Sequence, residues 1–202
     1  RWSRSGSGIW SLYTPLSQPQ GIPHIADVLP DDGLEILIAE KPNRLIALNS
    51  DGELLKTWEF PALPQQWRTA NFDGDRFPDL FVTYPTGAII DVDSVAIRGA
   101  NGSALWKMHC GNGPSAIADV NGDGIDDVVM RDLFERRIID GRSGRDLQPI
   151  EMTAGYHTPI LPPTGRGGHY PGVIWGGGTY TIGFNDAKGQ SIWKHWFAPH
   201  GT

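Results

Sequence analysis

Short apolar runs punctuated by turn residues set the rhythm of this chain. Leu45–Leu48, Leu80–Tyr84, Val95–Ile97 and Val128–Met130 are each closely bounded by Gly, Pro, Asn or Asp. Runs of this length, rich in β-branched and aromatic residues, predict strands. With 26 Gly and 16 Pro spread along 202 residues, few stretches are long enough for a helical period to develop. Leu45–Leu48, Val95–Ile97, Arg137–Ile139 and Tyr180–Ile182 each lead into a Gly or Asx turn and a further strand-like segment. That succession is a hairpin signal.

Acidic residues concentrate in two loops of one design. Asp119, Asn121, Asp123 and Asp127 stand at positions 1, 3, 5 and 9 of the first. Hard divalent cations take oxygen ligands from such alternate positions on a sharply turning backbone, and the Ile125 carbonyl at position 7 completes the set. Gly122 and Gly124 supply backbone angles that a Cβ would resist. The other loop offers Asn71, Asp73, Asp75, Asp79 and the Phe77 carbonyl in the same places. An EF-hand begins alike but requires Glu at position 12 and a helix on each side. Here position 12 is Met130 and the flanks are strand-like. Two calcium ions are therefore the expected cofactors.

Weaker copies extend the pattern. Asp27–Ile36 aligns without gaps, but its third position is Leu29, which cannot bind a metal. Thr164–Trp175 keeps Pro171 and the following strand, yet has lost every acidic ligand. The loops begin at residues 27, 71, 119 and 164, a period of roughly 46 residues that matches one four-stranded propeller blade. Between them recur hairpins in which Gly is followed four residues later by Trp: Gly6–Trp10, Gly102–Trp106 and Gly189–Trp193. Gly52 and Gly144 keep the turn without that Trp. The pattern predicts an all-β chain, a β-propeller of about four consecutive four-stranded blades within a larger propeller. The blades fall at 17–60, 61–109, 110–152 and 153–202, with 1–16 as outer strands of a preceding blade. The hairpin Gly6–Tyr13 has no inner strands before it, whereas Gly183–Phe197 completes the last blade. The expectation is a partial chain completed by a longer parent or by other subunits, prone to associate through open strand edges when isolated.

These residues carry a family resemblance. The loops at 71–79 and 119–127 resemble FG-GAP or VCBS repeats, the units of integrin α-subunit propellers and many secreted bacterial proteins. The resemblance is strong at 69–83 and 117–130 and weaker at 25–39 and 162–175. The Gly-x-x-x-Trp hairpins are similar to those of quinoprotein-type propellers. Such a resemblance implies calcium ions held in loops between strands of one blade, with a mainly structural role.

A net charge of −6 argues against nucleic acid bound through phosphate neutralisation. Much of that acidity belongs to the two loops and says nothing about partners. No run approaches the eighteen apolar residues of a membrane-spanning helix. Cys110 is the lone cysteine, so no intrachain disulfide is expected. The chain opens at Arg1 with no visible leader, as a processed or truncated product would. Calcium sites of low affinity are useful where calcium is abundant, which points to an extracellular or periplasmic location.

Chemistry beyond the loops is sparse. The six histidines show no zinc-ligand spacing and no Cys-x-x-Cys exists, so a zinc site is not expected. Trp10, Trp106 and Trp193 recur with the hairpins and are expected to pack one blade on the next. Trp67 and Trp175 do not recur, which makes them the candidates for stacking on a sugar ring. Gly-x-Ser-x-Gly, a phosphate loop and a dinucleotide fingerprint are all missing, so no catalytic or cofactor-binding residue is assigned. The leading function is a non-catalytic, calcium-stabilised interaction module of an exported protein, binding protein or glycan through loops on one face. A propeller-based carbohydrate-active enzyme such as a polysaccharide lyase is the alternative, and an assembly scaffold in a multi-subunit complex is a third reading.

Overall fold

The computed structural model describes residues 19–30, 33–75, 77–87, 92–110, 114–131, 136–149, 159–160, 172–177, 181–186 and 191–196. The Gly6–Tyr13 hairpin, the loop from Thr164, and Asp31 and Arg76 lie outside them. Among the described residues every regular element is a strand, and the strands form antiparallel four-stranded sheets, each a meander in chain order. The first comprises β1 (Pro19–Ala26), β2 (Glu35–Glu40), β3 (Arg44–Leu48) and β4 (Leu54–Glu59). The second comprises β5 (Gln66–Ala70), β6 (Asp79–Pro85), β7 (Val92–Ile97) and β8 (Ala104–Cys110). The third comprises β9 (Pro114–Ala118), β10 (Asp127–Arg131), β11 (Arg136–Ile139) and β12 (Asp146–Pro149). In the fourth are β13 (Pro159–Ile160), β14 (Gly172–Gly177), β15 (Thr181–Asp186) and β16 (Ser191–Trp196). No helix among the described residues is long and apolar enough to cross a membrane.

Burial on both faces explains the continuous apolar runs. β6 is buried from Asp79 through Tyr84, and such a strand has no solvent face to demand polar alternation. Its alternate residues look toward different neighbours. Leu80, Val82 and Tyr84, with Val95 and Ile97, pack with Leu37, Ala39, Leu45 and Trp58 of the first sheet. Phe81 instead joins Phe72, Ala96 and Trp106 against Val128, Met130 and Ile139 of the third. The second sheet is thus held between its neighbours by two separate cores.

The outer hairpins share one construction. Gly52, Gly102 and Gly144 have φ of +83°, +78° and +69°, a conformation that favours glycine. Each donates its N–H to a carbonyl at the start of its turn, on Asn49, Arg98 and Asp140 respectively. These turns lie beside the acidic loops: Arg98 reaches Asp73 of its own sheet, and Gly141 N–H reaches Asp127.

Candidate metal loops

Each acidic loop joins the first strand of a sheet to the second, and its side chains hold its own backbone. In the third sheet, Asp119 Oδ1 accepts the N–H of Gly122 (2.6 Å) and Asp123 (3.1 Å), while its Oδ2 accepts that of Gly124 (2.9 Å). Asn121 Oδ1 accepts from Asp123 N and Asp123 Oδ1 from Ile125 N, both at 2.9 Å. In the second sheet, Asn71 Oδ1 accepts from Gly74 N (2.8 Å), Asp73 Oδ1 from Asp75 N (3.1 Å) and Asp75 Oδ1 from Phe77 N (2.7 Å). These successive Asx turns fix the direction of each side chain. Gly74 and Gly122, at equivalent positions, have φ of +82° and +83°.

The ninth position behaves differently. Asp127 is fully buried; its Oδ2 accepts from Val120 N (3.0 Å) and Asn121 N (3.3 Å), and its Oδ1 from Gly141 N (3.0 Å). Asp79, also buried, accepts from Phe72 N at 2.9 Å. Glu35 does the same in the first sheet, its Oε2 accepting from Val28 N (2.6 Å) and Leu29 N (3.3 Å). The ninth-position acid therefore closes all three loops, including the one in which Leu29 replaces a ligand. Burial pushes the carboxyl groups of Asp79 and Asp127 up to about 6 against the opposing pull of these backbone N–H groups.

Calcium fits these loops in donor chemistry. Every side chain at positions 1, 3, 5 and 9 presents oxygen. Asp119 Oδ1 and Asp127 Oδ2 each accept two backbone N–H groups, whereas oxygens such as Asn121 Oδ1 and Asp123 Oδ1 accept one from the backbone and retain a second lone pair. Among the described residues, no three His, Cys, Asp or Glu side chains converge as a ready-made metal cluster. The loops are oxygen-lined turns in which exposed Asn121 and Asp123 and buried Asp127 face different surroundings. In the 71–79 loop, Asp73 Oδ2 also accepts a hydrogen bond from Arg98 Nε at 2.7 Å. Arg98 therefore competes with any cation for that oxygen.

A further residue enters the site from outside the ligand pattern. Asp126, at position 8 of the 119–127 loop, accepts the Asn71 N–H at its Oδ2 and donates its own N–H to the Asn71 carbonyl, both at 2.8 Å. Beside this seam lies a cleft of about 270 Å³ lined by Thr69, Asn71, Asp75, Phe77 and Asp126. Ligand spacing gives no signal for such a residue, because position 8 contributes no metal ligand.

The sugar-stacking expectation fails at Trp67. This residue is 3% exposed and packs in the core between the first and second sheets, its ring 5.4 Å from that of His24. Absence of recurrence is no sign of exposure here, because that core is filled by residues that differ from those of the next. The side chain of Trp175 and that of Trp10 lie outside the described residues. Trp106 packs against the neighbouring sheet as expected, its Nε1 donating to the Gly141 carbonyl, whereas Trp193 is 44% exposed.

No protein-family model matches the chain, and no curated protein matches its sequence. Solved structures do resemble it. Rhamnogalacturonan lyase YesW superposes with a TM-score of 0.61 over 87% of this chain and 39% of the lyase, at 21% identity. The Bacillus licheniformis rhamnogalacturonan lyase PL11 gives 0.58 over 84% and 38%, at 20% identity. The Dos1 propeller gives 0.52 over 79% and 43%, at 12% identity. The chain spans less than half the length of each. Likeness at these identities is one of fold, and it supports an all-β architecture of the β-propeller kind.

Proposed function

We propose that the chain is a run of blades from a larger β-propeller in a polysaccharide-acting protein of the rhamnogalacturonan lyase kind, with structural calcium in two of its loops. The observation that carries this reading is the superposition on two such lyases over 87% and 84% of the chain. Asn71, Asp73, Asp75, Asp79 and the Phe77 carbonyl would hold one ion. Asp119, Asn121, Asp123, Asp127 and the Ile125 carbonyl would hold the other. A bound cation relieves repulsion among the loop carboxylates and offsets the burial of Asp79 and Asp127. The resemblance to FG-GAP and VCBS repeats belongs to the same proposal. So does an extracellular or periplasmic location, where calcium and polysaccharide are both at hand.

Incubation of the full chain with rhamnogalacturonan and, separately, with a neutral glucan tests the polysaccharide part. Ultraviolet absorbance reports unsaturated sugar ends, and gel retardation reports binding. Turnover confined to the uronic-acid polymer supports the proposal; inertness toward both polymers overturns it. A non-catalytic interaction module is the second reading, favoured because the loop carboxylates spend their hydrogen bonds on their own backbone. Retardation without turnover selects that reading.

A further inference from the structure

Hydrogen bonds and packing join the acidic loop of the second sheet to that of the third at three points. Asn71, the first ligand position of one loop, exchanges two hydrogen bonds with Asp126 of the other. Ile125 reaches across as well: a Cβ on Gly74 would stand 3.2 Å from Ile125 Cδ1. Behind this seam, a Cβ on Gly141 would collide with the Asp126 carbonyl and stand 2.9 Å from Phe72 of the 71–79 loop. Asp126 lies between Ile125 and Asp127, the seventh and ninth positions of its own loop. The segment 125–127 therefore cannot shift without displacing Asn71 and Gly74.

We propose that Asp126 is a positioning residue for the calcium site of the neighbouring sheet, and that through it the two loops bind calcium as a coupled pair. The proposal rests on the calcium reading of both loops. An ion in the 119–127 loop takes the Ile125 carbonyl and Asp127 as ligands and so orders the residue between them. Asp126 then presents Asn71 with its backbone already fixed. Ordering cost met by the first ion need not be met again by the second, which is positive cooperativity. Linkage requires the same factor in the opposite direction.

Calorimetric titration of calcium into the full chain and two variants tests this. Asp75→Ala leaves only the 119–127 loop competent, and Asp123→Ala only the 71–79 loop. Each surviving site should bind at least ~5-fold more weakly than in the intact chain, by one shared factor. Asp126→Ala should make the two sites independent, whereas Asp126→Asn, which keeps an acceptor for the Asn71 N–H, should retain the coupling. Amide exchange at Asn71 in Asp75→Ala needs no change at Asp126, and calcium should slow it. Unchanged affinities in the single-loop variants, or Asn71 exchange indifferent to calcium, would overturn the coupling while the two sites stand. No calcium uptake by the intact chain would overturn the calcium reading and the coupling together.

Discussion

Trp106, on the outermost strand of the second sheet, fills the space over Gly144 in the outer turn of the third. A Cβ on that glycine would stand 2.7 Å from the indole ring. Trp58 and Gly102 repeat the relationship between the first and second sheets, with a closest approach of 2.8 Å. The glycines are thus required twice, by a left-handed φ and by the space the indole occupies.

Gly144→Ala should therefore destabilise the fold by about 2–5 kcal/mol, combining a left-handed penalty of about 1–2 with overpacking of about 1–3. Gly124→Ala is the control. Its φ is +84° but nothing lies within 4 Å of the added Cβ, so only the conformational cost should appear. Urea denaturation in chelator compares the two. Equal losses would mean that Trp106 moves aside without cost.

How much of this was legible in the sequence depends on the kind of relationship. The period, the apolar runs and the Gly turns specify strands and hairpins, because each signal is local to a few residues. Trp106 could be anticipated from its four-residue spacing to Gly102. Trp58 could not, because it stands six residues beyond Gly52, further along the same face of its strand. Spacing alone marks the ninth-position acids only as ligands; their bonds to Val120, Asn121 and Phe72 N–H groups depend on how the loop folds back. Asp126 was invisible for a related reason: its partner Asn71 lies 55 residues away.

Asp127 offers a test of loop closure that does not involve metal. Its two oxygens together accept three backbone N–H groups. In Asp127→Asn, the amide NH₂ must face at least one of those donors. A buried donor left unpaired costs about 1–3 kcal/mol, so chelator-treated Asp127→Asn should unfold at correspondingly lower urea. Asp127→Ala leaves all three unpaired and should lose more. Wild-type stability in both variants would show that Gly141, Val120 and Asn121 find other acceptors.

His24 supplies a pH dependence. Burial and then the charge of Arg68 hold its imidazole below the ordinary value. As pH falls below the unfolded value of about 6.5, the unfolded chain takes up a proton that the folded chain resists. Stability is thus present above that value and is lost as pH drops toward the folded one. Thermal melts at pH 7.5 and 5.5 should show a larger fall for wild type than for His24→Gln. A parallel fall in both proteins would assign the effect to other groups.

Arg98 separates the two proposed calcium loops most sharply. Its Nε pairs with Asp73 Oδ2 at 2.7 Å, and the Arg98 side chain is 40% exposed. An exposed pair of this kind stabilises the fold by only about 0–1 kcal/mol. Toward a divalent ion in the same loop, the guanidinium is a nearby positive charge, opposing binding by about 1–2 kcal/mol in a solvated setting. Arg98→Gln should therefore move two measurements in opposite directions. Without calcium, the melting temperature should fall slightly as the ion pair is lost. With calcium, the 71–79 loop should bind roughly five- to thirty-fold more tightly, most cleanly seen beside Asp123→Ala, which silences the other loop. Weaker calcium binding in Arg98→Gln would mean that the guanidinium aims Asp73 at the ion and does not compete with it.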